Sequence, residues 1–231
     1  MELNSIAFIP DGNRRFAVKS GISLLEAYKV GTRKAWDVFS WLNDYPKIKV
    51  GTFWSLSLEN FKRASEIPLL FGIFEKELDK VIKSRLFEDN EVRLKFLGRR
   101  NVFPKKLQQK MIDAEKFTES FGKKTMNVAL GYSGRAEIVD ACKSIAAKVK
   151  SGELSLNEIN EESFKDYLYG NFQNPDLIVR TSGVQRTSGF LPFQSSYSEL
   201  YFCQKYWPEF EREDLALAIE DFNSRERRFG K

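Results

Sequence analysis

Short apolar runs, each broken by a polar turn and followed by a helix-like stretch, constrain this 231-residue chain more than any other feature. The first run, Ile6 to Ile9, has strand character and stops at Pro10, which has no N–H to give a sheet ladder. Asp11, Gly12, Asn13, Arg14 and Arg15 follow at once, and a helix with an apolar face is expected from near Ile22 to Asn43. Further strands are expected over Lys47 to Leu56, Val92 to Leu97, Thr125 to Gly131, Asp176 to Arg180 and Glu199 to Cys203. Helices are expected over Ile67 to Leu86, from Pro104 to about Ser120, and, preceded by Ser133 and Gly134, through about Lys150. A shorter helical region is expected over Leu156 to Tyr169, with a charged closing helix over Arg212 to Arg228. Strands alternating with helices require right-handed crossovers. The expected fold is therefore α/β, a mostly parallel central sheet flanked by helices, in a single domain spanning 1–231.

In such a fold, ligands bind where strands end and helices begin. Asp11 is a hard oxygen ligand suited to Mg²⁺. Gly12 lets backbone approach an anion, and Asn13, Arg14 and Arg15 can donate to phosphate oxygens. Alone, this stretch also reads as a tight turn beside a sheet. A second basic segment, Arg180 to Gly189, carries two arginines, several hydroxyls and two glycines after an apolar run. It suits a diphosphate, though a solvated loop with surface arginines has the same composition. Glu199 abuts an apolar strand, so its carboxylate should lie at a sheet edge or meet a metal or an arginine.

The chain has no histidine, which excludes His-dependent triads, HExxH zinc helices and imidazole acid–base chemistry. Its net charge of +5 arises from 37 basic and 32 acidic residues, an excess that small anionic ligands explain. No basic helix or RNP-like strand points to nucleic acid. Two cysteines are too few for a disulfide framework, so an intracellular, cytoplasmic setting is expected. No early apolar run reads as a signal peptide and no stretch is long enough to span a bilayer.

Five segments taken together resemble the signature blocks of the cis-prenyltransferases, the undecaprenyl diphosphate synthase family. They are Pro10 to Phe16, Ser57 to Arg63, Asp176 to Gly183, Tyr197 to Phe202, and Trp207-Pro208. The resemblance covers roughly Ile6 to Gly230. It implies Mg²⁺-dependent condensation of isopentenyl diphosphate onto an allylic diphosphate with cis double bonds, in a homodimer or heterodimer. Peripheral membrane contact for product release is implied too, and nucleic acid is not. Asp11 and Asn60 would be the catalytic residues, with Asp11 and Glu199 at the metal. Gly12, Asn13, Arg14, Arg15, Phe16, Ser57 and Arg63 would take the allylic substrate. Arg180, Arg186 and Ser188 would take isopentenyl diphosphate. The family's hydrophobic product tunnel would place Leu70, Phe74 and Leu78 in its wall, and Arg227 to Gly230 resembles a segment that reaches the partner subunit. Aspartate-rich DDxxD motifs of trans-type synthases and a P-loop are absent.

The sequence also departs from the family pattern. Leu24 and Tyr28 stand where many members have an arginine and a histidine that hold the allylic phosphate, with Arg14, Lys19 and Lys29 as possible substitutes. Val184 and Gln185 replace a frequent Glu and His. Prenyl transfer to another lipid acceptor without elongation, and a weakly active subunit of a heteromeric enzyme, are therefore the alternatives.

Overall fold

A computed structural model describes residues 2–83 and 85–226. Six strands form one sheet: β1 Ser5–Ile9, β2 Val50–Ser57, β3 Val92–Leu97, β4 Lys124–Tyr132, β5 Leu177–Arg180 and β6 Glu199–Phe202. Their order is β3-β4-β2-β1-β5-β6, and every pair is parallel. The helices are α1 Asn13–Ser20, α2 Leu24–Trp41, α3 Ile67–Lys83, α4 Leu86–Asp89, α5 Lys105–Phe117, α6 Gly134–Ser151, α7 Glu161–Phe164 and α8 Arg212–Ser224.

All five residues of β1 are buried, as befits a strand paired on both edges and covered on both faces. Side-chain alternation divides its apolar residues between two cores. Ile6 and Phe8 join the larger one, where Phe8 stacks on Phe53 at 4.9 Å and meets Trp207. Ala7 and Ile9 face the smaller one with Ala129, Ile178 and Phe190. Helix α3 turns Leu70, Ile73, Phe74, Leu78 and Val81 inward at helical spacing. A reciprocal Ser23–Glu26 capping box opens α2.

Two expectations shift and one helix is added. The helix expected from near Ile22 forms as α2, and a further helix precedes it from Asn13, because Gly12 takes φ +104° and lets the chain turn directly into α1. That helix buries only Ala17 and shows no core periodicity. Leu156 to Tyr169 is broken into 3-10 turns around the short α7, since Asn160 caps a new helical start inside it. The closing helix ends at Ser224, and Arg227 to Gly230 lie outside the described residues.

The chain leaves β1 toward β2 on one side and returns to β5 on the other, which makes β1/β5 the topological switch point.

Candidate active site

A cavity of about 1000 Å³ opens at the carboxyl ends of β1, β2, β4 and β5. Asp11 lines it. The Asp11 N–H donates to Thr181 Oγ1 at 2.9 Å, and the Thr181 hydroxyl donates to Asp11 O at 2.8 Å. Trp207, almost wholly buried, donates its backbone N–H to Asp11 O (2.9 Å) and its indole N–H to Gly31 O (2.7 Å). The turn is thus fixed from β5, α2 and the segment after β6.

Both Asp11 carboxylate oxygens are engaged. Arg180 Nη2 donates to Oδ2 at 2.8 Å and Arg15 Nη2 to Oδ1 at 3.2 Å. Burial pushes the carboxyl pKa up, but the Arg180 hydrogen bond and charge, then Arg15 and the Gly12 N–H, outweigh it and leave it lowered. Arg15 Nη2 also donates to Ser182 Oγ, and its guanidinium lies 5.4 Å from the Tyr206 ring centre.

The first basic group lies on α1 and the 3-10 turn Leu58–Lys62. Asn13, Arg14 and Arg15 occupy the first turn of α1, whose N–H groups are open to an anion. Ser57 and Asn60 cap each other: Asn60 N–H donates to Ser57 Oγ and Ser57 N–H to Asn60 Oδ1, both at 3.1 Å. Oδ1 being taken, the Asn60 Nδ2 group has no partner among the described residues and lies on the cavity wall.

Arg14 and Arg63 both reach Glu66, at 3.5 and 3.7 Å, and Tyr28 donates its hydroxyl to Glu66 at 2.5 Å. Burial, then the Glu66 hydrogen bond and charge, push the Tyr28 pKa well above the phenolic range, so the phenol is a neutral donor. Of the residues offered as substitutes at the allylic end, Arg14 lines the cavity, Lys19 is held by Glu209, and Lys29 is not on the wall. Leu24 is not on the wall either.

The second basic group is the loop after β5. Arg180, 5% exposed, donates Nη1 to Arg186 O and to Ser188 Oγ (2.8 Å), while Arg186 Nε donates to Ser188 Oγ at 3.2 Å. At the inner end of the cavity Leu70 and Phe74 present apolar surface.

Three expected residues fall elsewhere. Phe16 sits one turn along α1, off the cavity wall, where its N–H closes the helix on Gly12 O. Leu78, two turns beyond Leu70 on α3, is packed in the core. Glu199 is the first residue of β6 and pairs with Leu177, whereas Asp11 lies beyond Ile9, which pairs with Arg180. The strand register separates Glu199 from Asp11 by at least ~10 Å along the sheet. Within this chain the two do not share a metal. Glu199 instead accepts from Arg225 at 2.7 Å, on the edge strand.

Among the described residues no group of three His, Cys, Asp or Glu side chains could cage a metal. Mg²⁺ needs no such cage. It takes one or two carboxylates, waters and substrate phosphate oxygens, and Asp11 between two basic groups fits that use.

Sequence reasoning quoted Trp207 only as part of a motif and missed Glu66, Ser133 and Arg135 as site residues. The signal for the last two was present, since Ser133-Gly134-Arg135 repeats the strand–polar turn–helix pattern after β4.

Two clusters of arginines and hydroxyls meeting at one carboxylate on a switch point define an α/β protein built to hold two polyanionic groups side by side. A family model described as putative undecaprenyl diphosphate synthase matches residues 9–230. The chain is 43% identical to a tritrans,polycis-undecaprenyl-diphosphate synthase (geranylgeranyl-diphosphate specific) of Pyrobaculum aerophilum, over 98% of this chain and 95% of the relative. The same identity and share of this chain hold for the namesake in Methanocaldococcus jannaschii, of which 82% is covered. The crystal structure of lavandulyl diphosphate synthase from Lavandula x intermedia, in complex with dimethylallyl diphosphate, superposes with a TM-score of 0.94 at 32% identity. That match covers 100% of this chain and 99% of the other. A probable undecaprenyl diphosphate synthase from Campylobacter jejuni gives 0.82 at 29% identity, with both chains fully covered. The chain belongs to the undecaprenyl diphosphate synthase family, the cis-prenyltransferases.

Proposed function

We propose that this chain catalyses repeated cis-prenyl condensation, joining isopentenyl diphosphate to an allylic diphosphate to give a polyprenyl diphosphate of the undecaprenyl class, a precursor of glycosyl-carrier lipids. The observation that carries it is the Arg180–Asp11 contact, which brings both basic groups to one carboxylate. In each cycle the allylic C1–O bond breaks, C1 bonds to C4 of isopentenyl diphosphate, and a proton leaves C2. Asn13, Arg15 and the open N–H groups of α1 bind the allylic diphosphate and stabilise the charge it gains as it departs. Arg14, Arg63 and Ser57 border it, and the free Asn60 amide orients the reacting carbons. Arg186 and Ser188, braced by Arg180, hold isopentenyl diphosphate. Mg²⁺ held by Asp11 and phosphate oxygens would neutralise developing charge. The C2 proton can pass to a phosphate oxygen, so no histidine is required. Leu70 and Phe74 begin the wall of a product tunnel.

Geranylgeranyl diphosphate is the primer suggested by the archaeal relatives' names. A homodimer is supported by apolar exposure beside the edge strand β6, where Tyr197, just before the strand, is 67% and Leu217, on α8, 53% exposed. Among the described residues no helix is long and apolar enough to cross a membrane.

The test incubates pure protein with labelled isopentenyl diphosphate, Mg²⁺ and five-, ten-, fifteen- and twenty-carbon allylic diphosphates. Long-chain product supports the proposal, and no incorporation with any primer refutes it. The second reading is prenyl transfer without elongation. A single condensation product would establish that reading.

A further inference from the structure

The isopentenyl diphosphate cradle is short of charge as it stands. Arg180 is almost fully buried, with Nη1 and Nη2 already committed to Arg186 O, Ser188 Oγ and Asp11 Oδ2. Only Arg186 offers an exposed guanidinium from that loop, yet the ligand is a polyanion. Across the cavity the end of β4 supplies what is missing. Arg135, the second residue of α6, is exposed, lines the same cavity, and has no acidic partner among the described residues. Beside it Ser133 is 9% exposed, also lines the cavity, and its hydroxyl makes no hydrogen bond among the described residues.

The backbone stitches this wall to the cradle. Gly134 N–H donates to Gly189 O at 3.1 Å, next to Ser188. A side chain at 134 would meet Pro192 Cδ at 2.1 Å and Gly189 O at 2.5 Å, so glycine permits the approach. The α6 N-terminus therefore faces the loop that carries Arg186. A serine that is itself nine-tenths buried and a guanidinium without an acidic partner, both on one cavity, are donors left for an anion.

We propose that Arg135, assisted by the Ser133 hydroxyl, is the third element of the isopentenyl diphosphate cradle. The assignment rests on the prenyltransferase reading above. Arg135 adds a mobile forked donor where Arg180 is fixed, and it grips the diphosphate from the side opposite Arg186. The tail is left to point toward Asn60 and the allylic carbon.

The test compares wild type with Arg135→Gln, Arg135→Lys and Ser133→Ala. Arg135→Gln is expected to raise the KM for isopentenyl diphosphate about ten- to a hundred-fold, as for a lost charge-assisted bond. The KM for geranylgeranyl diphosphate should change less than about twofold, and saturating isopentenyl diphosphate should restore turnover. Arg135→Lys should recover most of the loss, and Ser133→Ala should show a smaller rise of the same kind. Calorimetry without primer reads the same site independently of turnover, using isopentenyl diphosphate and Mg²⁺-diphosphate as separate ligands. Weaker binding of isopentenyl diphosphate in Arg135→Gln supports the assignment. Unchanged binding, or equal KM rises for both substrates, overturns it. If wild type binds diphosphate but not isopentenyl diphosphate, the prenyltransferase reading fails alone. The diphosphate affinity of Arg135→Gln then decides whether Arg135 holds an anion.

Discussion

Arg180 on β5 donates to the Asp11 carboxylate after β1 at 2.8 Å, so one charge-assisted bond closes the switch point of the sheet. The partly buried carboxyl is held below its usual range by that bond, against the upward push of burial. An Asp whose folded pKa is depressed contributes stability that is fully present above its unfolded pKa, about 4, and lost as pH falls through the folded value. Thermal midpoints of wild type should therefore drop on acidification below about pH 4. Asp11→Asn should be less stable at neutral pH and show a flatter acid limb. An unchanged acid limb would mean that the pair contributes nothing.

Asp11→Ala should lower turnover by ~10²-fold or more, the usual cost of removing a group that stabilises departing charge. EDTA should abolish wild-type activity and Mg²⁺ restore it. Full activity without metal would contradict the role given to this carboxylate.

The two basic groups should separate kinetically. Arg186→Ala is expected to raise the KM for isopentenyl diphosphate roughly tenfold or more, and Arg63→Ala that for the allylic substrate. Equal effects of either variant on both substrates would show that the cradles are assigned wrongly.

Gly12→Ala should fail for two reasons. Its φ of +104° disfavours any Cβ, and that Cβ would meet Tyr206 Cδ1 at 2.8 Å. A loss on the order of 1–3 kcal/mol is expected by urea unfolding, together with weaker allylic binding, because the turn carries Asp11. A variant as stable as wild type would show that the turn relaxes freely.

Glu66 draws Arg14 and Arg63 to itself, so an allylic diphosphate must compete with a carboxylate for them. More of the affinity must then come from hydrocarbon, at ~0.8 kcal/mol per buried CH₂. The enzyme should prefer twenty-carbon over five-carbon primers in kcat/KM. Glu66→Gln should narrow the gap by improving the shortest primer most. A wild type that favours the five-carbon primer would refute this account.

What the sequence reveals depends on whether a residue serves the core or a tertiary meeting. β1 and β5 are legible because burial on both faces demands uninterrupted apolar runs, and the motifs around Asp11 and Arg180 stand at strand ends. Helix α1 was hidden because Asn13, Arg14 and Arg15 line the cavity rather than the core, which leaves no apolar stripe. Glu199 was read as a carboxylate at a sheet edge or meeting a metal or an arginine, and the resemblance put it at the metal with Asp11; register, which a motif does not encode, sets it beside Arg225 and apart from Asp11. Glu66 escaped for the same reason, since Arg14 and Tyr28 are brought to it by α1 and α2, distant in sequence, whereas Arg135 carried a strand–turn–helix signal that was passed over.

The two cradles hang from adjacent strands, which a hydrogen-bonded ladder holds about 4.8 Å apart. In the proposed reaction the sheet acts as a ruler for the two diphosphates. On the same proposal, product length would fall to Leu70 and Phe74 on α3, a helix outside that ladder. Evolution can lengthen or shorten the product by repacking one helix while the spacing of the reacting ends stays fixed by backbone.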